Sequence, residues 1–290
     1  MNAPARVAAF GLGLAAAFGA ALGVGAAVGP VEVEPAATHA ADGGHAGGDH
    51  AGTAAAGAPA GLAVSAEGYT LALDTAQVAA GPATPVSFRV LDEHGEPVTD
   101  FAVAHEQRLH LVAVRRDLSG YQHVHPTLAA DGTWTASLAL TPGSWRLLAD
   151  SVPAGADGSV VLGADLAVRG GYVPVALPAA AATAEVDGYT VGLTGDLTAG
   201  REAELTFTVS RAGVPVTDLQ PYLGAAGHLV VLRAGDLAYL HVHPLDEDGA
   251  GPDVSFGLTA PTAGTYRLFL DFRHGDVVRT AEFTVQVSRG

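Results

Sequence analysis

Residues 227–244 read GHLVVLRAGDLAYLHVHP, and residues 109–126 read LHLVAVRRDLSGYQHVHP. Each stretch contains a His, an apolar run, a polar turn and the tetrapeptide His-Val-His-Pro. In both copies the first His precedes the other two by 13 and 15 residues. Six of the 12 histidines in the chain lie in this repeated frame.

Short segments rich in Val, Leu, Thr, Tyr and Phe surround both copies and alternate with turns of Gly, Pro and Asp. Examples are YTLALD from Tyr69, PVSFRVLD from Pro85, TWTASLAL from Thr133 and SWRLLAD from Ser144. Several short strands at regular spacing, without a helical period, are typical of a β-sandwich. The sequence therefore predicts an all-β fold.

The same order of segments occurs twice, at offsets of 118 to 121 residues. The matched pairs are Glu67 and Asp187, Gly95 and Gly213, His110 and His228, and Trp145 and Tyr266. Such self-similarity indicates a tandem duplication. We predict two immunoglobulin-like sandwiches, covering residues 61–172 and 173–290.

The composition limits the classes of partner. Thirty acidic residues against 14 basic ones, all of them Arg, give a formal charge of −16, which disfavours binding to nucleic acid. The chain has no Cys and one Met, so it lacks disulfides, thiolate metal sites and the soft ligands that Cu(I) prefers. No Ser-His-Asp order, phosphate loop or carboxylate pair indicates catalysis, and we expect no enzyme.

Residues 1–29 are predicted to be a membrane anchor or a cleaved signal peptide. Val7 to Gly29 carries no charge over 23 residues, and a helix of that length at ~1.5 Å per residue spans a hydrocarbon core of ~30 Å. Small residues throughout are also compatible with a signal-peptide cleavage site. With Arg6 on the inner side, the remainder is expected outside the cytoplasm, attached to the membrane or secreted.

Residues 30–60 are predicted to be a disordered Ala/Gly-rich linker, because they lack periodicity and bulky side chains. This linker contains His39, His45 and His50 beside two Asp residues. His-rich tracts can gather metal ions loosely, and a solvated tether without a ligand is the alternative.

The repeated frame has the pattern of a metal site. On a strand, alternate residues share a face, so Leu240 and Val242 are expected to face the core while His241 and His243 face away from it. A hairpin through the preceding turn would return the chain towards His228. We therefore predict one cluster of three imidazoles in each repeat. The candidate ligands are His110, His123, His125, His228, His241 and His243.

Three converging nitrogen donors suit Zn²⁺ or Cu²⁺. Further candidate ligands are Asp150, Asp271, His105 and His274. The alternative is structural, with the imidazoles satisfying backbone groups in a hydrogen-bonded corner.

The frame HLV-V-R-DLS-YQHVHP resembles a set of bacterial extracytoplasmic β-sandwich domains that includes the YtkA-like group. The resemblance covers mainly residues 95–150 and 213–271, and it implies a role in heavy-metal and copper handling with the six frame histidines as ligands. The second repeat has Gly-Ala-Ala-Gly where the first has His105-Glu-Gln-Arg-Leu. If His105 matters in that family, the second site is the poorer one.

Two other functions compete with metal handling. Gly235, His241, His243 and Glu247 imitate the first motif of cupins, which are metal-dependent enzymes or storage proteins, but the first repeat breaks that spacing and the second cupin motif is absent. A surface adhesion or interaction module with structural histidines is the other alternative. We predict a non-catalytic, membrane-tethered or secreted metal-binding protein, and the sequence leaves its protein partners and oligomeric state open.

Overall fold

The computed structural model describes residues 59–245 and 249–290, and these residues contain strands and no α-helix. The all-β prediction is therefore confirmed for this part of the chain. Within the same ranges no helix has the length and apolar character needed to cross a bilayer. The predicted N-terminal anchor or signal, the linker as far as residue 58, and Glu247 lie outside the described residues.

The first repeat is a sandwich of two sheets. Its strands are β1 (Ser65–Ala66), β2 (Tyr69–Leu73), β3 (Gln77–Ala79), β4 (Gly81–Leu91), β5 (Phe101–Ala102), β6 (Leu109–Arg115), β7 (Gln122–Val124), β8 (Thr127–Leu128), β9 (Trp134–Leu140), β10 (Gly143–Pro153) and β11 (Val160–Arg169). One sheet has the order β1-β2-β4-β9-β8, and the other has the order β3-β11-β10-β6-β7, with β5 paired to β10.

The second repeat has the same plan. Its strands are β12 (Thr183–Val186), β13 (Tyr189–Thr194), β14 (Glu202–Arg211), β15 (Val214–Pro215), β16 (His228–Arg233), β17 (Tyr239–Leu240), β18 (Val242–Pro244), β19 (Asp253–Thr259), β20 (Gly264–His274) and β21 (Val277–Val287). One sheet has the order β12-β13-β14-β19-β18, with β15 paired to β14, and the other has the order β17-β16-β20-β21.

The strand order in both repeats is that of an immunoglobulin-like sandwich. In the first repeat, one sheet has the order β2-β4-β9-β8, which matches the order A-B-E-D of an immunoglobulin domain. The other sheet has the order β11-β10-β6-β7, which matches G-F-C-C′. In the second repeat β13, β14, β19 and β18 face β21, β20, β16 and β17 in the same order. The predicted tandem of immunoglobulin-like sandwiches is thus present in the described residues.

Strand β6 is buried on both faces. Leu109, Leu111 and Ala113 point into the core of the first repeat, while the alternate residues Val112 and Val114 point into a separate apolar cluster. A strand covered on both faces has a nearly continuous apolar sequence, as β6 has. The second face of β6 must therefore be covered by another part of the molecule.

Strand β16 of the second repeat supplies that cover. Leu229 and Val231 belong to the core of their own repeat, and Val230 and Leu232 belong to the same cluster as the outer face of β6. We call this the inter-repeat cluster. Its buried members are Val112, Val114, Leu118, Leu148, Val230, Leu232, Leu237, Tyr239 and Phe269. The two repeats are therefore packed through the sheets that carry β6, β10, β16 and β20.

Gly61 lies at the edge of this interface and ties the start of the first repeat to the second. Its backbone N–H donates to the Val161 carbonyl at 3.1 Å, and the neighbouring Ala60 carbonyl accepts from the Tyr239 N–H at 3.0 Å. Gly61 has a φ of +73°, and a Cβ there would stand 2.7 Å from a Leu148 methyl carbon. Both the backbone conformation and the close packing require glycine at this position.

The two His-Val-His-Pro segments lie where the chain passes from one sheet to the other. In the first repeat, β7 forms the predicted hairpin with β6 and ends at Val124. In the second repeat the hairpin strand already ends at Leu240, and Val242–Pro244 pairs with β19 in the opposite sheet. The hairpin predicted through the turn before His241 therefore ends before the tetrapeptide in the second repeat. Val242 packs against the core of that repeat, which carries the chain across the sandwich.

Candidate metal centre between the repeats

The repeated His and Asp residues point into the interface because of strand alternation. His110 is on the same face of β6 as Val112, and His228 is on the same face of β16 as Val230, so both imidazoles face the other repeat. Each His has an Asp directly opposite on the neighbouring strand: Asp150 pairs with His110, and Asp271 pairs with His228. The fold therefore places two His/Asp pairs at one boundary.

Three imidazoles from both repeats converge there. His110, His123 and His228 each offer a ring nitrogen, and the three nitrogens lie within 4.8 Å of one another. The rings of His110 and His228 stack with centroids 5.5 Å apart and an angle of 8°, and those of His123 and His228 are 4.8 Å apart. The structure thus differs from the prediction of one separate cluster per repeat. Face-to-face packing brings His228 to the histidines of the first repeat.

A chain of hydrogen bonds crosses the interface through these residues. His110 Nε2 lies 3.1 Å from the Ala104 carbonyl oxygen, and His110 Nδ1 lies 3.1 Å from His123 Nε2. His123 Nδ1 then lies 3.0 Å from Asp271 Oδ2, and Thr280 Oγ1 donates to Asp271 Oδ1 at 2.5 Å. The side chains of His123 and Asp271 are 2% and 3% exposed, so this chain is shielded from water.

The partners at the two ends of this chain assign the tautomers. A carbonyl and a carboxylate only accept hydrogen bonds, so the protons belong on His110 Nε2 and His123 Nδ1. The nitrogens that face each other at 3.1 Å, His110 Nδ1 and His123 Nε2, then both present lone pairs. Two lone pairs at this separation repel, so the pair needs a shared proton or a metal cation between them.

His125 stands beside the same pair and has an unused donor atom. Its ring centroid is 5.1 Å from that of His110 and 5.0 Å from that of His123. Its Nε2 is buried and has no hydrogen-bond partner among the described residues. Burial lowers the pKa of His125 to about 4, with the neighbouring His123 and His110 acting in the same direction. His125 is thus a neutral fourth donor next to the three converging imidazoles.

Burial also favours the neutral form of His110 and His228. It lowers the pKa of His110, against a hydrogen bond to Ala104 that raises it, and it lowers the pKa of His228 well below its usual value. Neutral imidazole is the form that binds a metal ion, so protons compete weakly at these positions near neutral pH.

The remaining predicted ligands lie around or away from this group. The rings of His241 and His243 are 4.6 Å apart and both residues are exposed. His105 is exposed, with its ring 6.1 Å from those of both His110 and His228. His274 is engaged elsewhere, with Tyr189 Oη at 2.6 Å and Asp218 Oδ1 at 3.1 Å.

Of the other predicted ligands, the two Asp residues lie at the interface, and the three linker histidines lie in the part of the chain that the structure does not describe. Asp150 accepts a hydrogen bond from Ser159 and borders His110, whereas Asp271 bonds to His123 as described above. The linker residues His39, His45 and His50 lie outside the described residues.

Two residues at the site did not follow from the spacing of the histidines. Tyr121 stacks on Phe269 with ring centroids 3.9 Å apart, and burial, followed by the Asp271 charge, raises the pKa of Tyr121 well above its usual value. Thr280 is paired directly opposite Asp271 in the sheet. The sequence of β6 did indicate a buried interface. Val112 and Val114 lie on the face of β6 that points away from the core of its own sandwich, and an apolar face there needs cover from another part of the chain.

Comparisons with known proteins place both repeats in one family. Residues 63–162 and 184–289 each match the family described as "Domain of unknown function (DUF8832)". No curated protein matches the sequence.

Three of the solved structures similar to the chain come from bacterial proteins and have low sequence identity to it. The Escherichia coli adhesin FdeC is 19% identical over 78% of this chain and 66% of that chain, with a TM-score of 0.23. Invasin, a bacterial integrin-binding protein, is 15% identical over 78% of this chain and 41% of its own, with a TM-score of 0.24. The chain therefore spans less than two thirds of either protein. The fibronectin(III)-like modules of Clostridium thermocellum CbhA are 13% identical over 76% of this chain and 95% of theirs, with a TM-score of 0.22. Similarities of this size carry no argument about function.

Proposed function

The chain belongs to the DUF8832 family, and we propose that it is a divalent transition-metal-binding protein whose main site is shared by its two repeats. One observation carries this proposal. His110 Nδ1 and His123 Nε2 face each other at 3.1 Å while their other nitrogens are committed to a carbonyl and a carboxylate. An ion between the facing nitrogens removes the repulsion between their lone pairs.

The donor set fits Zn²⁺ or Cu²⁺. A tetrahedral zinc site with Zn–N bonds of about 2.0–2.1 Å has nitrogens roughly 3.3 Å apart, close to the separation of the His110 and His123 nitrogens. His228 supplies the third nitrogen. The ring of His125 adjoins those of His110 and His123, and we propose its unpaired Nε2 as the fourth donor. Imidazoles that ligate metal usually donate their other N–H to a carboxylate or a backbone carbonyl, and His123 and His110 have those partners.

We assign the site to holding or transferring an ion outside the cytoplasm. The apolar residues 7–29 would direct the chain across or into the membrane, as a retained anchor or as a signal. Cu²⁺ and Zn²⁺ remain the two candidate ions.

A second candidate function is a surface interaction module in which the histidines are structural. The hydrogen-bond chain from Ala104 through His110 and His123 to Asp271 joins the two repeats, and a shared proton would satisfy it without an ion. In that case the histidines would fix the angle between the two sandwiches, and the exposed surfaces would carry the function.

Titration of the full chain with Zn²⁺ and with Cu²⁺ by calorimetry separates the two functions. The linker residues His39, His45 and His50 are first replaced by Ala so that they do not contribute. We expect tight binding that is lost in His123→Ala and kept in His94→Ala, a control whose side chain is 76% exposed. Absence of tight binding, with a large loss of stability of metal-free His123→Ala in urea, would instead support the structural role.

A further inference from the structure

A small cavity lies on the other side of His110 from the buried histidine group. Its volume is about 40 Å³, and its lining includes His105, Arg108, His110, Asp150, Ser159 and His241. His110 presents its Nε2 edge to Ala104, which lines the cavity, and its Nδ1 edge to His123, which does not. The His110 imidazole therefore lies between the cavity and His123.

The cavity is the counterpart of the buried site under the internal repeat. His241 occupies the sequence position of His123, and Asp150 occupies that of Asp271. His123 reaches across the interface to Asp271 of the other repeat. In the same way, His241 of the second repeat and Asp150 of the first line one cavity. The duplication therefore produced two positions at the interface, with different donors and different exposure.

The cavity is lined by the imidazoles of His105 and His241 and the carboxylate of Asp150, which can bind a cation, and by the Arg108 guanidinium, whose charge weakens such a site. Ser159 donates to Asp150 Oδ1 and orients the carboxylate. Burial, followed by the neighbouring Asp150 carboxylate, raises the pKa of Tyr239 well above its usual value. His105 is specific to the first repeat and faces the cavity from the turn between Ala104 and Gln107, which is closed by backbone hydrogen bonds in both directions.

The space is large enough for an ion that keeps some of its water. A single water molecule needs roughly 10–15 Å³ of such volume, so about 40 Å³ accommodates an ion and one or two waters. We propose that His105, His241 and Asp150 form a second divalent-cation position, weaker than the buried site and separated from it by His110. This inference rests on the proposed metal-binding function. Exposure of His105 and His241 makes this the position that exchanges its ion with solvent.

The test is a Zn²⁺ titration of the full chain in which His39, His45 and His50 are Ala. We expect two zinc ions per chain, in one tight and one weaker class. Asp150→Asn keeps the shape of the side chain, and His241→Ala removes an exposed group, so neither should disturb folding. Each should weaken the weaker class at least about tenfold and leave the tight class unchanged. His123→Ala should do the reverse.

Each other outcome has a defined meaning. A single tight class of zinc sites that Asp150→Asn does not change would refute the second cation position and would still support the buried site. Absence of both the tight and the weaker class of zinc sites would also refute the proposed metal-binding function. A weaker class that survives Asp150→Asn but disappears in His243→Ala would mean that the exposed pair His241 and His243 binds the ion, which also overturns this assignment.

Discussion

Replacing Asp271 by Asn tests whether this carboxylate supports a metal ligand. Asp271 Oδ2 accepts from His123 Nδ1 at 3.0 Å, and Asp271 Oδ1 accepts from Thr280 Oγ1 at 2.5 Å. Asn has nearly the same volume and leaves no cavity. Its amide oxygen can still accept from His123, and its amide nitrogen can donate to the Thr280 hydroxyl. The substitution therefore removes a negative charge while keeping the shape of the site.

The expected effect follows from the kind of bond that is weakened. A hydrogen bond to a charged group contributes about 1.5–3 kcal/mol, against about 0.5–1.5 kcal/mol for a neutral bond. Loss of such a partner behind a metal-bound imidazole typically lowers metal affinity by about 10–100-fold, which is about 1.4–2.7 kcal/mol. We expect Asp271→Asn to weaken Zn²⁺ binding in the tight class by this factor.

Competition with a chromophoric chelator measures the zinc affinity of the variant against that of the unmodified chain. Asp131→Asn is the matched control, since the Asp131 side chain is 68% exposed and forms no part of the interface. A change of less than about threefold in Asp271→Asn, or an equal change in Asp131→Asn, would refute the claim that Asp271 acts through His123 on a bound ion.

Three further predictions concern the interface. Phe269→Ala removes a fully buried ring and should lower the free energy of unfolding by about 3–5 kcal/mol in urea, whereas Val103→Ala, at an exposed position, should change it little. Gly61→Ala should cost about 1–2 kcal/mol in the same assay, because of its positive φ and its contact with Leu148. Apo stability should fall as the pH drops below about 6.5, because the lowered pKa values of His125 and His228 mean that the unfolded chain binds more protons at these positions. A urea midpoint that is unchanged or higher at pH 5 than at pH 7.5 would contradict this last prediction.

The sequence predicted the fold class and the hairpin of the first repeat because both depend on local patterns. Strand alternation placed Leu240 and Val242 against the core of the second repeat, where the structure has them. The hairpin of β6 and β7 brought His110 and His123 within hydrogen-bond distance, as their 13-residue spacing implied.

Assignment of the ligands to one repeat or the other depends on docking, which spacing does not encode. The two frames have identical spacing, yet His228 joins the histidines of the first repeat and His241 remains exposed. The docking of the two repeats depends on the outer faces of β6 and β16, where Val112 and Val230 belong to one apolar cluster. An apolar outer face predicts a partner surface without identifying it.

The most direct test of the shared site is anomalous diffraction from crystals of the full chain grown with Zn²⁺. The strongest zinc peak should lie among His110 Nδ1, His123 Nε2 and a ring nitrogen of His228, at about 2.0–2.1 Å from each nitrogen. The ligands would thus come from both repeats. A strongest peak coordinated only by His228, His241 and His243, or crystals without an ordered zinc ion at the interface, would contradict the account.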